Sequence, residues 1–298
     1  MAVITVSRQV AAHGDEVAAE LAKLLNYKFV TRKDIEKRIV ELGFPESKMP
    51  KYDERKPGFF ASLAKNRDEY FNYAQYAILE AAQQKNVIII GRGAFAVLEG
   101  VPNNISVRLV ADEKTRIERL RAEFNWDEKQ AKQRIQESDA NRAGFHRSFF
   151  NIEDNDSTLF HMVLNTGMIP EEIAAEQIAH FVEKTVTVKQ EEAGNKMLEE
   201  LLKAQTIVNK LSFEYHLNIE FVHATIEDKT VILHGVSDSP GIVEQALQII
   251  KREMPGFDAK SEVSIIHDFK GYQYTFYNEK KTQGSRVCDK TARYRATR

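Results

Sequence analysis

A chain of 298 residues, 43% hydrophobic and 29% charged, has room for two domains and does not have the composition of a disordered polymer. A formal net charge of -2 removes any global case for nucleic-acid binding, and no apolar run is long enough to cross a bilayer. The single cysteine, Cys288, cannot close an internal disulfide; the opening also lacks the basic and apolar segments of a signal peptide, so a cytoplasmic protein is expected.

The first predicted element is "VITV", a buried strand, after which Val17, Leu21, Leu24 and Leu25 fall on one helical stripe between Gly14 and Asn26. "YKFV" reads as a short strand. Thr31 then caps a helix through Gly43, with Asp34 near its positive end. Pro45, Pro50 and Pro57 mark residues 44–58 as a mobile surface loop. A helix from Arg67 to Lys85 leads into "VIII", a β-branched run suited to a strand covered on both faces, and "ISVRLVA" is another. Charged helices follow, from Asp112 to Phe124 and from Asp127 to Phe150. "TLFHMVLNT" reads as a further strand, and Pro170 opens a helix to Lys184.

Strands alternating with helices predict an α/β fold, a parallel sheet with helices on both faces, and ligands bound beyond the carboxyl ends of its strands. Those ends carry Ser7 and Arg8, Gly91 and Arg92, Ala111 and Asp112, and Asn165 and Thr166. From about Thr187 the pattern changes. Met197, Leu198, Leu201, Leu202, Ile207, Val208 and Leu211 line a long amphipathic helix, and two strands, a helix from Ser239 to Met254 and a last strand, "SEVSIIHDF", follow as a small α+β unit.

Arg92 follows a buried strand and should face a cleft or a carboxylate; its planar fork suits two phosphate oxygens, or a structural ion pair. Asp139, Arg142 and His146 share one helical face with Arg147 beside them, as either a binding face or a solvated charged one. Arg116 and Arg119 on the preceding helix read as ordinary exposed arginines, which the resemblance given below makes weak lid candidates. Asp154 and Asp156 suit a solvated turn better than a metal, and His161 has no second ligand at zinc spacing, so no metal site is expected. Residues 279–298, with Lys280, Lys281, Arg286, Lys290, Arg293, Arg295 and Arg298, read as a flexible basic tail.

The segments "ITVSRQ", "GDEVAAELAKLLNYKF", "IIIGRGA", "VRLVADEKTRIERL", "DANRAGFHRSFFN" and "VLNT", in this order and at these spacings, resemble the cytidylate kinase-like family of P-loop phosphotransferases over roughly residues 1–185. The resemblance implies the nucleoside monophosphate kinase fold, with ATP and Mg2+ as donor and cofactor. It implies that Ser7, Arg8, Gln9, His13, Gly14 and Asp15 surround the donor phosphates. Arg92, Asp139 and Arg142 would hold the acceptor, and Arg119, Arg134 and Arg147 would act as catalytic groups on the transferred phosphoryl.

The family's Gly-Ser-Gly-Gly turn is here Ala11-Ala12-His13-Gly14. Gly14 stands at the lysine of a full Walker A loop, and Asp15 at the magnesium-binding hydroxyl. Alanine is tolerated there if φ is negative, whereas a positive φ costs about 1 kcal/mol or more. Asp15 and Glu16 favour the helix start but repel polyphosphate unless magnesium intervenes. Two readings stay open: a kinase transferring phosphoryl from ATP to CMP or a similar small acceptor, and a catalytically impaired nucleotide sensor or binding module that signals to the C-terminal unit. A purely structural protein would follow if internal carboxylates consumed the arginines. "KTVILHGVSDSPGIVEQALQIIKREMPGFDAKSEVSII" is similar to the BON domain. That likeness implies a domain over residues 187–278, including its leading helix, after a first domain over 1–186. It also implies a membrane or protein partner, while the net charge leaves no specific nucleic acid expected; the long helix could equally serve an oligomer.

Overall fold

The computed structural model describes residues 2–52, 64–153 and 156–266. Pro57, Asp154, Cys288 and the basic tail therefore lie outside the described residues. The chain divides into two compact units, Met1–Leu202 and Lys203–Arg298.

The first unit begins with β1 (Val3–Arg8), α1 (Gly14–Leu25), β2 (Lys28–Val30) and α2 (Arg32–Glu41). Then come α3 (Ala64–Gln83), β3 (Val87–Ile90), the single turn α4 (Ala94–Val97) and β4 (Asn104–Val110). α5 (Glu113–Phe124), α6 (Glu128–Phe150), β5 (Met162–Asn165), α7 (Glu171–Thr185) and α8 (Val188–Asn209) complete the series, α8 ending past the boundary of the unit. The five strands form one sheet in the order β2-β3-β1-β4-β5, every neighbouring pair parallel. β1 and β3 are buried almost throughout, as strands covered on both faces must be. Ile4 and Val6 of β1, Ile88 and Ile90 of β3, and Val107 and Leu109 of β4 pack with Val17 and Leu21 of α1 and Ile178 of α7 in one core.

Local chemistry closes the helices. Thr31 and Asp34 form a reciprocal capping box on α2, and Asp127 with Gln130 forms another on α6. Asn26, Asn125 and Asn151 end α1, α5 and α6 in the left-handed conformation that asparagine tolerates better than most residues.

Two segments differ from the sequence expectation. Residues 44–52 are not simply surface loop: Glu46–Tyr52 forms a 3-10 helix, and Phe44 and Tyr52 are buried. Tyr52 stacks on Tyr70 of α3 with centroids 4.3 Å apart, while Phe44 meets both rings edge-on. Aromatic burial overrides the proline signal here. The strand expected from Thr158 starts at Met162, because Asp156 caps a short 3-10 turn over Ser157–Leu159.

The second unit holds β6 (Glu220–Glu227), β7 (Thr230–Ser237), α9 (Pro240–Glu253) and β8 (Asp258–Ile265). β6 pairs antiparallel and β8 parallel with the central β7. Val231 and Leu233 of β7 pack against Ala246, Ile249 and Ile250 of α9. Lys210 and the Tyr215 hydroxyl bond the Glu253 carboxylate and hold its pKa at about 2. No described helix is long and apolar enough to cross a membrane.

Candidate functional site

Register fixes the location of the site. Val6 pairs with Ile90 and Arg8 with Leu109, while Val110 pairs with Asn165, so the carboxyl ends of β1, β3, β4 and β5 share one rim of the sheet. Parallel α/β sheets bind their ligands at that rim.

β1 connects to α1 through Gln9–His13. Ala11 and His13 have φ of 57° and 48°, left-handed values that cost a residue with a β-carbon roughly 1–2 kcal/mol. The turn therefore keeps a glycine-like backbone at two positions that are not glycine. Its carbonyls are tied outward. Arg116 Nε donates to Val10 O (2.9 Å), Arg119 Nη1 to Ala11 O (3.1 Å) and Thr166 Oγ1 to Ala12 O (3.0 Å). Val10, Ala11 and Trp126 also pack on Ile117, Leu120, Ala131 and Ile135. Among the described residues, the amides of Ala11, His13, Gly14 and Asp15 make no hydrogen bond. With the positive end of α1 behind them, amides of this kind can receive an oxyanion.

The struts of this loop are themselves braced. Arg116, 4% exposed, makes a two-pronged bond to Asp139 of α6 at 2.8 and 2.9 Å. Arg119 also donates to Thr166 O (2.7 Å) and Thr166 Oγ1 (3.2 Å). His13 Nδ1 bonds the Glu171 carboxylate, which that bond holds below the usual carboxylate range; Arg119 lies 3.6 Å from the same oxygen.

The second turn follows β3. Gly91, Arg92 and Gly93 have φ of 85°, 54° and 69°, three successive left-handed residues, and a β-carbon on Gly93 would enter the Phe150 ring. Arg92 is 2% exposed. It donates to Tyr52 O (2.5 Å), pairs with Glu36 of α2, and lies 6.0 Å from the ring centres of Tyr70 and Phe145. Burial of a guanidinium requires such a counter-ion. Arg8, Arg92, Arg142 and His146 border a common cavity of about 10 Å³, the size of a single water.

The expected residues divide into several groups. Arg92 and Arg142 come together at the cavity, with Ser7 and Arg8. Gln9 accepts from Ala111 N (3.1 Å) and ties the end of β1 to β4. His13, Gly14 and Asp15 form the start of α1. Asp139, expected to hold the acceptor, and Arg119, expected on the transferred phosphoryl, do not line the cavity; Asp139 bonds Arg116 and Arg119 bonds Ala11 O, so both brace the loop from outside. Arg147 is exposed and bonds Glu153 at 2.9 Å, and Arg134 lies half-buried about two turns before Arg142 on α6. Glu36, Thr166 and Glu171 had no assigned role in the sequence. Thr166 was marked only by its place at a strand end and Glu171 only by its place in a first helical turn, since their partners are distant in the chain.

Among the described residues, no three His, Cys, Asp or Glu side chains are grouped to hold a metal. Magnesium needs less than that: one or two carboxylates suffice when substrate phosphates supply further oxygens, and the exposed Asp15 beside the amides fits that donor set.

The sequence model described as the cytidylate kinase-like family matches residues 3–168. Among solved structures, an uncharacterized protein from Eubacterium ventriosum is similar at a TM-score of 0.50 and 20% identity, over 61% of this chain and 98% of that one. Shikimate kinase from Bacteroides thetaiotaomicron gives 0.40 and 18%, over 61% and 98%. Shikimate kinase from Acinetobacter baumannii, in complex with shikimate, gives 0.38 and 16%, over 62% and 94%. At these identities the Eubacterium likeness is one of fold. No curated protein matches the chain.

Proposed function

Because the chain belongs to the cytidylate kinase-like family, we propose that its first domain, residues 1–186, transfers the terminal phosphoryl group of ATP to a small phosphate-bearing acceptor, CMP being the first to test. The five-stranded parallel sheet with a loop between β1 and α1 is a P-loop kinase-like, nucleotide-binding fold. One observation carries the reading: the Val10–Ala12 carbonyls are anchored outward while the following amides have no hydrogen bond, in a loop that holds left-handed angles at Ala11 and His13. Strain of that kind persists where surrounding structure over-determines it, commonly at binding sites.

In this reading the donor phosphates rest on the amides of Ala11, His13, Gly14 and Asp15, between Ser7, Gln9 and the His13 ring. Arg92 and Arg142 meet the acceptor phosphate. Arg134 and Arg147 on α6 are near enough in sequence to Arg142 to close over the transferred group, while Arg119 and Asp139 act as positioning residues. The acceptor's phosphate oxygen is already anionic, so no general base is required; positioning and charge neutralisation dominate such transfers. Bound magnesium would supply charge neutralisation at the phosphates, with Asp15 as its protein ligand. A cavity of about 10 Å³ is far below the several hundred a nucleotide needs, so binding requires the walls to separate.

A catalytically impaired sensor is the second reading, favoured by the engagement of Arg92 by Glu36 and of Arg147 by Glu153. For the second domain, proposed over residues 187–278, the order helix, strand, strand, helix, strand over residues 188–265 supports a BON-like attachment that binds a protein or membrane partner. A cytoplasmic location fits both readings.

Titrating the whole chain with ATP and with CMP, each with and without magnesium, separates them through the melting temperature, since a ligand raises it only by binding the folded state. Stabilisation by both, followed by ADP release when they are mixed, supports the kinase. Stabilisation by CMP alone supports the sensor, and a flat response to both overturns the nucleotide reading.

A further inference from the structure

Resting on the donor site proposed above, we infer that Arg8 supplies the phosphate-binding cation that the lysine supplies in a full G-x-x-x-x-G-K loop. Arg8 stands at the first glycine of that spacing and Gly14 at the lysine, so the large cation and the glycine have changed places in the sequence. They have also changed places in space. A β-carbon built on Gly14 would lie 2.6 Å from Arg8 Cγ and 2.8 Å from Arg8 Cβ, so the stem of Arg8 fills the room into which a lysine at position 14 would project. The guanidinium continues across the rim, with Nη1 2.7 Å from a β-carbon built on Gly91. Arg8 thereby spans the start of α1 and the turn after β3, the two structures between which a phosphoryl group must pass.

Its present partner is weak. Arg8 Nη2 is 3.7 Å from Asp15 Oδ2, and the Asp15 side chain is 59% exposed, a loose pair that water screens. Phosphate oxygens on the loop amides would offer a planar fork two acceptors at once. Asp15 then holds the guanidinium in place until a polyphosphate displaces it.

The test uses the full chain, inorganic tripolyphosphate as probe, and calorimetric titration at constant ionic strength, with melting temperature as a check on folding. Arg8→Met keeps the stem over Gly14 and removes the charge, so it should weaken tripolyphosphate binding about tenfold or more, the loss expected for a charge-assisted contact. Arg8→Lys should fall between this variant and the parent. The double variant R8G/G14K, which returns the cation to the usual position, should recover affinity to within about threefold of the parent. Binding by a folded Arg8→Met protein equal to that of the parent overturns the inference and leaves the donor site standing. If Arg8→Met does not fold, equal binding by the parent and R8G, with no gain on adding G14K, overturns it in the same way. Failure of the parent itself to bind tripolyphosphate removes the donor site, and the inference with it.

Discussion

Gly14 has an ordinary φ, so its lack of a side chain is a matter of packing: the Arg8 stem occupies the space above it. Gly14→Ala should therefore lose about 1–3 kcal/mol to overpacking, and most of that loss should vanish when Arg8 is also replaced by glycine. Urea unfolding of the four members of this double-mutant cycle measures the coupling; equal losses in both backgrounds would refute the packing account. At this scale the sequence was legible in part. It marked Ala11-Ala12-His13 as an altered phosphate loop and stated the condition for strain, a positive φ. Whether that condition held depended on Arg116, Arg119 and Thr166, whose bonds to three loop carbonyls come from about 100 to 150 residues away.

Among elements, α5 and α6 have a role that their charged sequences did not reveal. Spacing along α6 placed Asp139 and Arg142 on one face, which suggested a joint binding surface. In the fold, Arg142 turns to the cavity and Asp139 to Arg116, so positions one turn apart on one helix serve the cavity wall and the loop brace. Asp139→Asn should destabilise the first unit by about 1–3 kcal/mol, toward the lower end because Asp139 is partly exposed, as the buried Arg116 loses its charged partner. The fluorescence of Trp126, the only tryptophan, which packs on the same apolar cluster as Val10 and Ala11, reports that unit; an unchanged unfolding midpoint would show that Arg116 needs no anion. Helix and strand identities were readable from periodicity except at the single turn α4 and at Thr158–His161, where the strand was expected too early. The 3-10 helix at Glu46–Tyr52 was not readable either, because ring stacking against α3 decided it.

Across the whole molecule, acid should weaken a contact that joins distant parts of the first unit's sheet rim, the bond between His13 and Glu171. The Glu171 carboxyl is held low chiefly by its bond to His13, so its contribution is complete above its ordinary value of 4.5 and is lost as pH falls through the depressed folded value. Melting temperatures between about pH 6 and pH 3 should drop more steeply for the parent than for Glu171→Gln. Parallel curves would mean that the bond contributes nothing to stability.

The sequence alone determined the alternation of strands and helices, the parallel sheet, the small C-terminal α+β unit and the position of the loop between β1 and α1, because hydrophobic period, capping residues and turn chemistry act within a few residues. Only the tertiary structure decided which arginine meets which group. Arg92 meets Glu36, Arg116 meets Asp139, Arg119 meets the loop, and Arg8 lies over Gly14. A guanidinium reaches its partner across elements that come together only when the sheet assembles, and residue spacing carries no record of that encounter.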